Sequence, residues 1–189
     1  MSYRVYMNTL DNPTARDVYE DLKKSGHEVI TESDRDDIDV DMLILSIPHK
    51  DKDIFTLREM DTDKLQEELT GYVNDILSTA LTVIPHMEKS SLKRVVFLTD
   101  PSGSIRESTE ADDYAYHMAQ AAAGMIMKIL HNSYRESGFT FRVYADCGGG
   151  IGACEYILTE QSYIPEDAPI HSDENRIVMR DGFLRELSW

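Results

Sequence analysis

The sequence predicts one α/β domain in which helices cover both faces of a mostly parallel sheet. Patterns typical of strands and helices alternate along the 189 residues. The apolar run at residues 42 to 47 is typical of a strand covered on both faces, and residues 94 to 99 predict a further buried strand. Residues 63 to 87 and 111 to 133 predict two long helices. No repeat or linker divides the sequence, so we expect a single domain over residues 1 to 189.

The N-terminal part predicts a strand, a helix and a second strand. Residues 3 to 8 are β-branched and aromatic, as in a short strand. Asn12 and Pro13 supply the N-cap and the first residue of a helix, and Gly26 ends it. Residues 27 to 31 predict the next strand.

The remaining elements follow in alternation. The acidic residues 32 to 41 predict a surface connection into the strand that begins at residue 42. In residues 63 to 87 apolar side chains recur with the period of a helix. Residues 111 to 133 form a helix rich in Ala and Met, and residues 139 to 145 are the last predicted strand.

The composition is that of an ordinary globular protein, with 41% apolar and 29% charged residues. A formal net charge of −16 opposes binding to nucleic acid or to an anionic membrane. No apolar stretch approaches the ~20 residues that cross a bilayer, and the start lacks the apolar core of a secretory leader. We therefore expect a cytoplasmic protein. Cys147 and Cys154 then predict free thiols, with a structural disulfide as the alternative.

Residues 72 to 144 carry a more specific pattern. Asn74 follows a Val within the helix that precedes the strand 94 to 99, and Tyr116 lies on the helix after that strand. In these features the segment resembles the central half of the short-chain dehydrogenase/reductase family. The last nine residues, DGFLRELSW, resemble the D-G-x-x-x-P-W ending of some members. The resemblance implies a Rossmann-like α/β/α fold, an NAD(P) cofactor, and catalytic roles for Asn74 and for Tyr116 as proton donor.

The cofactor loop departs from the family pattern. Where the family has T-G-x-x-x-G-x-G, residues 8 to 15 read NTLDNPTA and contain no glycine. Pro13 removes one backbone N–H that could bind a phosphate, and Asp11, Asp17 and Glu20 add negative charge. We therefore expect no dinucleotide cofactor.

The second departure concerns the connection between residues 31 and 42. The family places a helix and an edge strand there, which form the adenosine side of its cofactor site. This connection is too short for both. The predicted fold therefore lacks one edge strand–helix unit.

Two of the family's four catalytic positions are changed as well. Gln120 lies one helical turn after Tyr116, where the family has a Lys whose charge lowers the pKa of the Tyr. Lowering the pKa of a phenol from about 10 to near 7 requires roughly 4 kcal/mol, which a neutral amide does not supply by charge. Asp100 takes the place of the catalytic Ser, with Ser102 and Ser104 nearby, and an anion beside a phenol raises its pKa.

Each candidate residue also has a structural interpretation. Tyr116 could be a half-buried helix Tyr bonded to a neighbour, and Asn74 a helix amide that satisfies backbone groups near the sheet. Residues 148 to 153 contain G-x-G-x-x-A, which predicts either a permissive turn or a displaced phosphate-binding loop. The six histidines are scattered, and neither cysteine has a His at ligand spacing, so we expect no metal site. These histidines are His27, His49, His86, His117, His131 and His171.

The helix over residues 111 to 133 has more apolar surface than one contact with a sheet requires. In the resembled family the two long helices commonly form a four-helix bundle across a two-fold axis. We therefore expect a homodimer through residues 63 to 87 and 111 to 133. An active relative of the protein is the alternative partner.

Three functional hypotheses follow. The first is a degenerate short-chain dehydrogenase/reductase-like protein that lacks dinucleotide-dependent catalysis and acts as a binding or assembly module. The second is an oxidoreductase that binds NAD(P) through an altered loop, with Tyr116 as proton donor and Asn74 supporting a water. The third is another kind of enzyme that uses Tyr116, Asp100 and the loop at residues 148 to 152 on a small substrate.

Overall fold

The computed structural model describes residues 2–31, 39–49, 58, 60–159 and 176–189. The strands are β1 (Arg4–Met7), β2 (Glu28–Ile30), β3 (Met42–Ser46), β4 (Arg94–Thr99), β5 (Thr140–Ala145), β6 (Met179–Arg180) and β7 (Glu186–Leu187). The helices are α1 (Pro13–Lys24), α2 (Thr62–Val83), α3 (Tyr114–Tyr134) and α4 (Ala153–Leu158). The strands form one sheet in the order β2-β1-β3-β4-β5-β6-β7, in which the β6–β7 pair is antiparallel and the others are parallel. The predicted α/β class is confirmed.

Helices cover both faces of the sheet. The helices α2 and α3 pack on one face around Leu43 and Phe97. The helices α1 and α4 pack on the other face around Ile44 and Val96. Successive strand residues point to opposite faces, so the interior of a strand in the middle layer is apolar on both sides, as at residues 42–45 and 95–98. This explains the continuous apolar runs of β3 and β4.

The helix ends differ slightly from the predicted ones. The α-helix α2 stops at Val83, and the rest of the predicted segment 63 to 87 is a 3₁₀ turn. Pro85 has no N–H to continue the α-helical ladder, which accounts for the change. The helix predicted at residues 111 to 133 begins at Tyr114, because the side chain of Asp113 caps it.

The two ends of the sheet differ in how well the sequence predicts them. The strand at residues 139 to 145 is not the last one, since β6 and β7 extend the sheet beyond it. Each has only two residues, too few to give a periodic pattern. At the other end β2 is the edge strand, in agreement with the missing edge unit. Most of the acidic connection after it, residues 32 to 38, lies outside the described residues, as does His171.

Both cysteines are free thiols, as predicted, with Cys147 exposed and Cys154 buried. Burial, with a smaller effect of the Asp21 charge, raises the pKa of Cys154 to about 11. None of the helices in the described part of the chain is long and apolar enough to span a bilayer. The described residues also contain no group of three or more His, Cys, Asp or Glu side chains placed to hold a metal ion.

The glycine-rich segment packs against the turn between β6 and β7. Gly148, Gly149 and Gly150 have φ angles of 71°, 83° and 83°, which favour glycine. A Cβ on Gly182 would lie 2.0 Å from the carbonyl oxygen of Gly149. The N–H of Ile151 donates to the carbonyl of Gly182 at 2.6 Å and is therefore not available to a phosphate. This geometry favours the permissive turn over the phosphate-binding loop.

We predict that Gly182→Ala lowers the free energy of unfolding by about 1–3 kcal/mol, because two backbone segments must separate to admit the methyl group. Urea denaturation measures the change. The matched control is Gly152→Ala, since Gly152 has an ordinary φ of −67° and no atom lies within 4 Å of the place its methyl group would take. Its change is expected to stay within about 0.5 kcal/mol. Equal unfolding midpoints for both variants would contradict the close approach.

Candidate functional site

Polar side chains with possible chemistry meet at the carboxyl ends of the parallel strands, where open α/β sheets bind ligands. His49 follows β3, Asp100 follows β4, and Tyr116 lies in the first turn of α3. These residues line one cavity of about 460 Å³ together with Ser102 and His117. Its remaining wall consists of Pro101, Glu107, Ser108, Thr109 and Glu110. The cavity is therefore rich in acidic and hydroxyl groups.

The phenol of Tyr116 is bonded to a carboxylate. Its hydroxyl donates to Oδ2 of Asp100 at 2.7 Å, and the residue is 4% exposed. Burial raises the pKa of Tyr116 well above its ordinary value, and the charge and hydrogen bond of Asp100 raise it further. Asp100 therefore raises the pKa of Tyr116, as the sequence predicts for an anion beside a phenol. At neutral pH the phenol is a fixed hydrogen-bond donor.

Gln120 is a buried structural amide at the position where the family has Lys. Its Oε1 accepts from the hydroxyl of Thr99 at 2.9 Å, and the residue is 1% exposed. Its Nε2 has no hydrogen-bond partner among the described residues. A Cβ on Gly103 would lie only 2.8 Å from the Cβ of Gln120, so the side chain has little room to move. Gln120 is therefore a neutral, packed amide and does not replace the positive charge that a Lys would place beside Tyr116.

The two serines near Asp100 have different surroundings. Ser102 lines the cavity, its N–H donates to Asp100 at 2.8 Å, and its buried hydroxyl has no partner among the described residues. The hydroxyl of Ser104 instead donates to the carbonyl of Ser188 at 2.6 Å. Ser104 therefore holds the C-terminal segment and does not line the cavity.

Asn74 is exposed on α2 and does not line the cavity of Tyr116. An exposed side chain does not fit the interpretation of Asn74 as an amide that satisfies backbone groups near the sheet, while its catalytic role stays a prediction. The next residue, Asp75, reaches the sheet instead: its Oδ2 accepts from Nδ2 of Asn8 at 2.7 Å. One position along a helix changes the direction of a side chain by about 100°.

Two histidines of the cavity were not expected from the sequence. The ring centroids of His49 and Tyr116 are 5.3 Å apart, in an edge-on arrangement. The ring centroid of His117, the next residue along α3, is 5.9 Å from that of Tyr116. The position of His49 could have been predicted, because it follows a buried strand by three residues and so lies at the carboxyl edge of the sheet.

Asn8 closes the turn that follows β1. Its side chain is buried and makes three hydrogen bonds. Nδ2 donates to the carbonyl of Ser46 at 2.9 Å and to Asp75 at 2.7 Å, and Oδ1 accepts from the N–H of Ser46 at 2.8 Å. The turn is thus joined both to β3 and to α2.

Asn12 fixes the other end of the same turn. Its Oδ1 accepts from the N–H of Ala15 at 3.1 Å, and its Nδ2 donates to the carbonyl of Ile47 at 3.1 Å. Of the first three residues of α1, Pro13 has no N–H and Ala15 has already donated its own. Among these three residues, only Thr14 therefore keeps an N–H that is open to an anion.

The residues present do not fit the pyrophosphate of a dinucleotide. The side chains of Asn8 and Asn12 hold the turn against the end of β3, and no glycine in the turn admits a close approach. The adjoining cavity, of about 480 Å³, is lined by four carboxylates and one ammonium group. These are Asp17, Glu20, Asp21, Asp146 and Lys24. A doubly charged pyrophosphate would meet repulsion here.

Solved structures with the same chain path identify the fold. A Burkholderia multivorans protein described as a short-chain alcohol dehydrogenase matches with a TM-score of 0.73 and 11% identity, over 100% of both chains. The carbonyl reductase Sniffer of D. melanogaster matches with a TM-score of 0.68 and 12% identity, also over 100% of both chains. The chain has the short-chain dehydrogenase/reductase fold. A 3-oxoacyl-[acyl-carrier protein] reductase from Brucella melitensis, with bound NAD, matches with a TM-score of 0.60 and 12% identity over 76% of this chain and 70% of that one.

Similarity in sequence is more limited. A segment of 81 residues is 30% identical to the C-signal protein of Myxococcus xanthus. This segment is 42% of the present chain and 49% of that protein, so the chain spans about half the length of the curated relative that it matches. No family model matches the sequence.

We predict that Asp100→Asn lowers the pKa of Tyr116, because it removes the neighbouring charge, but that burial keeps this pKa above the ordinary 10.0. The chain has 10 tyrosines, so the titration is followed by NMR of ¹³C-labelled tyrosine, with Tyr116→Phe to assign the signal. Asp146→Asn is the control, since Asp146 follows the next strand and does not line this cavity. Ionisation of Tyr116 near pH 7 in the unchanged protein would contradict the account.

Proposed function

We propose that the protein is a degenerate short-chain dehydrogenase/reductase-like protein that lacks NAD(P)-dependent catalysis and acts as a binding or assembly module. The observation that carries this proposal is the closed turn after β1. A cytoplasmic location is part of the proposal and is supported by the two free thiols.

Opening the turn would break the hydrogen bonds of Asn8. Admission of a pyrophosphate would require the turn to separate from Ser46 and Asp75. Each buried polar group that is left without a partner costs about 1–3 kcal/mol. The anion would recover little of this, because few N–H groups point at it and the adjoining carboxylates repel it.

The surroundings of Tyr116 support the same proposal. A proton donor works best when its pKa lies near the operating pH. Burial and Asp100 move the pKa of Tyr116 in the opposite direction. The neutral Gln120 amide lowers this pKa by less than burial and Asp100 raise it. The cavity retains the shape of a binding site, with hydrogen-bonding groups on its wall.

The alternative is an NAD(P)-dependent oxidoreductase with an altered cofactor loop, in which Tyr116 donates the proton and Asn74 supports a water. The reductase from Brucella melitensis, which has the same fold and bound NAD, favours this alternative. It requires a movement of the turn at Asn8 when the cofactor binds.

The assembly role rests on the outer surfaces of α2 and α3. Leu77 and Leu81 of α2 are 38% and 73% exposed. Met118, Met125 and Ile129 of α3 are 47%, 61% and 56% exposed. Large apolar side chains on two adjacent helices suit an isologous contact with a second copy of the chain. An active relative with the same helices is the other partner that fits.

We predict that isothermal titration with NADH or NADPH gives no binding heat up to millimolar nucleotide. An active protein of this fold, titrated in the same buffer, is the positive control. Gln120→Lys is expected to gain no reductase activity, because the closed turn is the deeper obstacle. Micromolar binding of either nucleotide, or activity in Gln120→Lys, would overturn the proposal in favour of the oxidoreductase.

We predict that light scattering at micromolar concentration gives twice the chain mass of 21.6 kDa. The double variant Leu81→Glu, Ile129→Glu should weaken the dimer at least about 100-fold, since it places unpaired charges in an apolar contact. Ile105→Glu is the control, because Ile105 is 92% exposed but lies outside both helices. A monomeric unchanged protein would remove homodimerisation from the proposal.

A further inference from the structure

A second cavity lies between α3 and the C-terminal residues, and we call it the Trp189 cavity. Its volume is about 690 Å³, within the range of about 300–1,000 Å³ that is usual for ligand sites. Its apolar wall consists of Ile105, Met125, Ile177, Val178 and Trp189. None of the residues that line it also lines the cavity of Tyr116. It is therefore a separate site.

Close packing holds the Trp189 ring at the cavity. A Cβ on Gly124 would lie 2.5 Å from the ring, so the indole rests directly on the backbone of α3. The residue nevertheless remains 44% exposed and lines the cavity. An indole with one packed side and one open side offers a rigid apolar surface to a ligand.

The opposite wall contains an unusual backbone conformation. Ile177 is buried and has a φ of 56°, in the left-handed region. This conformation is a genuine outlier for a β-branched residue, and such residues concentrate at ligand sites. It gives the wall at Ile177 and Val178 a shape that a regular strand would not have.

The charges around the cavity indicate the chemistry of its ligand. Glu186 is neutralised by Arg176, with Nη2 and Oε2 2.9 Å apart. Lys128 also lines the cavity, and none of the residues in the described ranges forms an ion pair with it. In a chain with a formal net charge of −16, an ammonium beside an apolar wall that pairs with no carboxylate of the described residues complements a ligand with one anionic group.

We propose that the Trp189 cavity binds a small amphipathic carboxylate, with its aliphatic chain against Trp189 and its carboxylate at Lys128. A second copy of the chain would need a broad surface of about 800 Å² per partner, whereas this site is concave and closed on one side by the indole. Binding here does not depend on the closed turn. Met125 belongs both to this wall and to the proposed contact between two copies of the chain, so a ligand and a second copy would compete for it.

The chain contains a single tryptophan, so its fluorescence reports on this cavity alone. Dodecanoate, kept below its micelle-forming concentration, is the probe. Saturable blue-shifted emission is expected, and dodecyltrimethylammonium, with the same chain and the opposite charge, should bind at least about threefold more weakly.

Two variants test the assignment. Lys128→Glu should weaken dodecanoate binding by about three- to tenfold, while Lys89→Glu, whose side chain is 83% exposed and does not line the cavity, should leave it unchanged. Ala121→Leu should weaken both probes because it fills part of the cavity, and circular dichroism checks that it folds.

Absence of saturation, or equal binding by the unchanged protein and Lys128→Glu, would overturn the inference. Trp189 emission that shifts on dilution of the ligand-free protein would also overturn it, since a second copy of the chain would then cover the cavity.

Discussion

The side chain of Asn8 ties the end of β1 to the backbone of β3 and to a carboxylate on α2. The amide occupies the N–H and the carbonyl of Ser46 and one carboxylate oxygen of Asp75, so the end of β1 cannot move away from β3 without leaving these buried groups unpaired. Asn12 repeats the arrangement at the start of α1. Under the proposed function this turn binds no phosphate, so the nearby carboxylates repel no ligand and the site requires no acidic phenol. The hydrogen bond of Tyr116 to Asp100 and the raised pKa of Tyr116 agree with such a site.

The sheet and the long helices could be predicted because burial produces simple apolar patterns in the sequence. The apolar runs of β3 and β4 and the helical period of α2 are examples. The strands β6 and β7 show no such pattern, since each has only two residues. They are positioned by the turn at Asp181. That carboxylate binds the N–H of Phe183 and the guanidinium of Arg185. Burial would raise the pKa of Asp181, but these hydrogen bonds outweigh it and lower the pKa.

The candidate site was only partly predictable. The resemblance to a family placed Tyr116 and Asp100 near one another, and the structure joins them by a hydrogen bond. It did not reveal that Asn74 is exposed while Asp75 faces inward, because that depends on the rotation of α2 about its axis. The contact of His49 with Tyr116 depends on the path of a loop, which the composition of the loop does not determine.

The most direct test of the closed turn is NMR of the side-chain amide of Asn8 while NADPH is added to millimolar concentration. The account predicts that the two amide protons keep their chemical shifts and remain slow to exchange with solvent, because both are held in hydrogen bonds. A saturable shift of these signals together with faster exchange would show that the turn opens to receive the nucleotide, and would contradict the central claim.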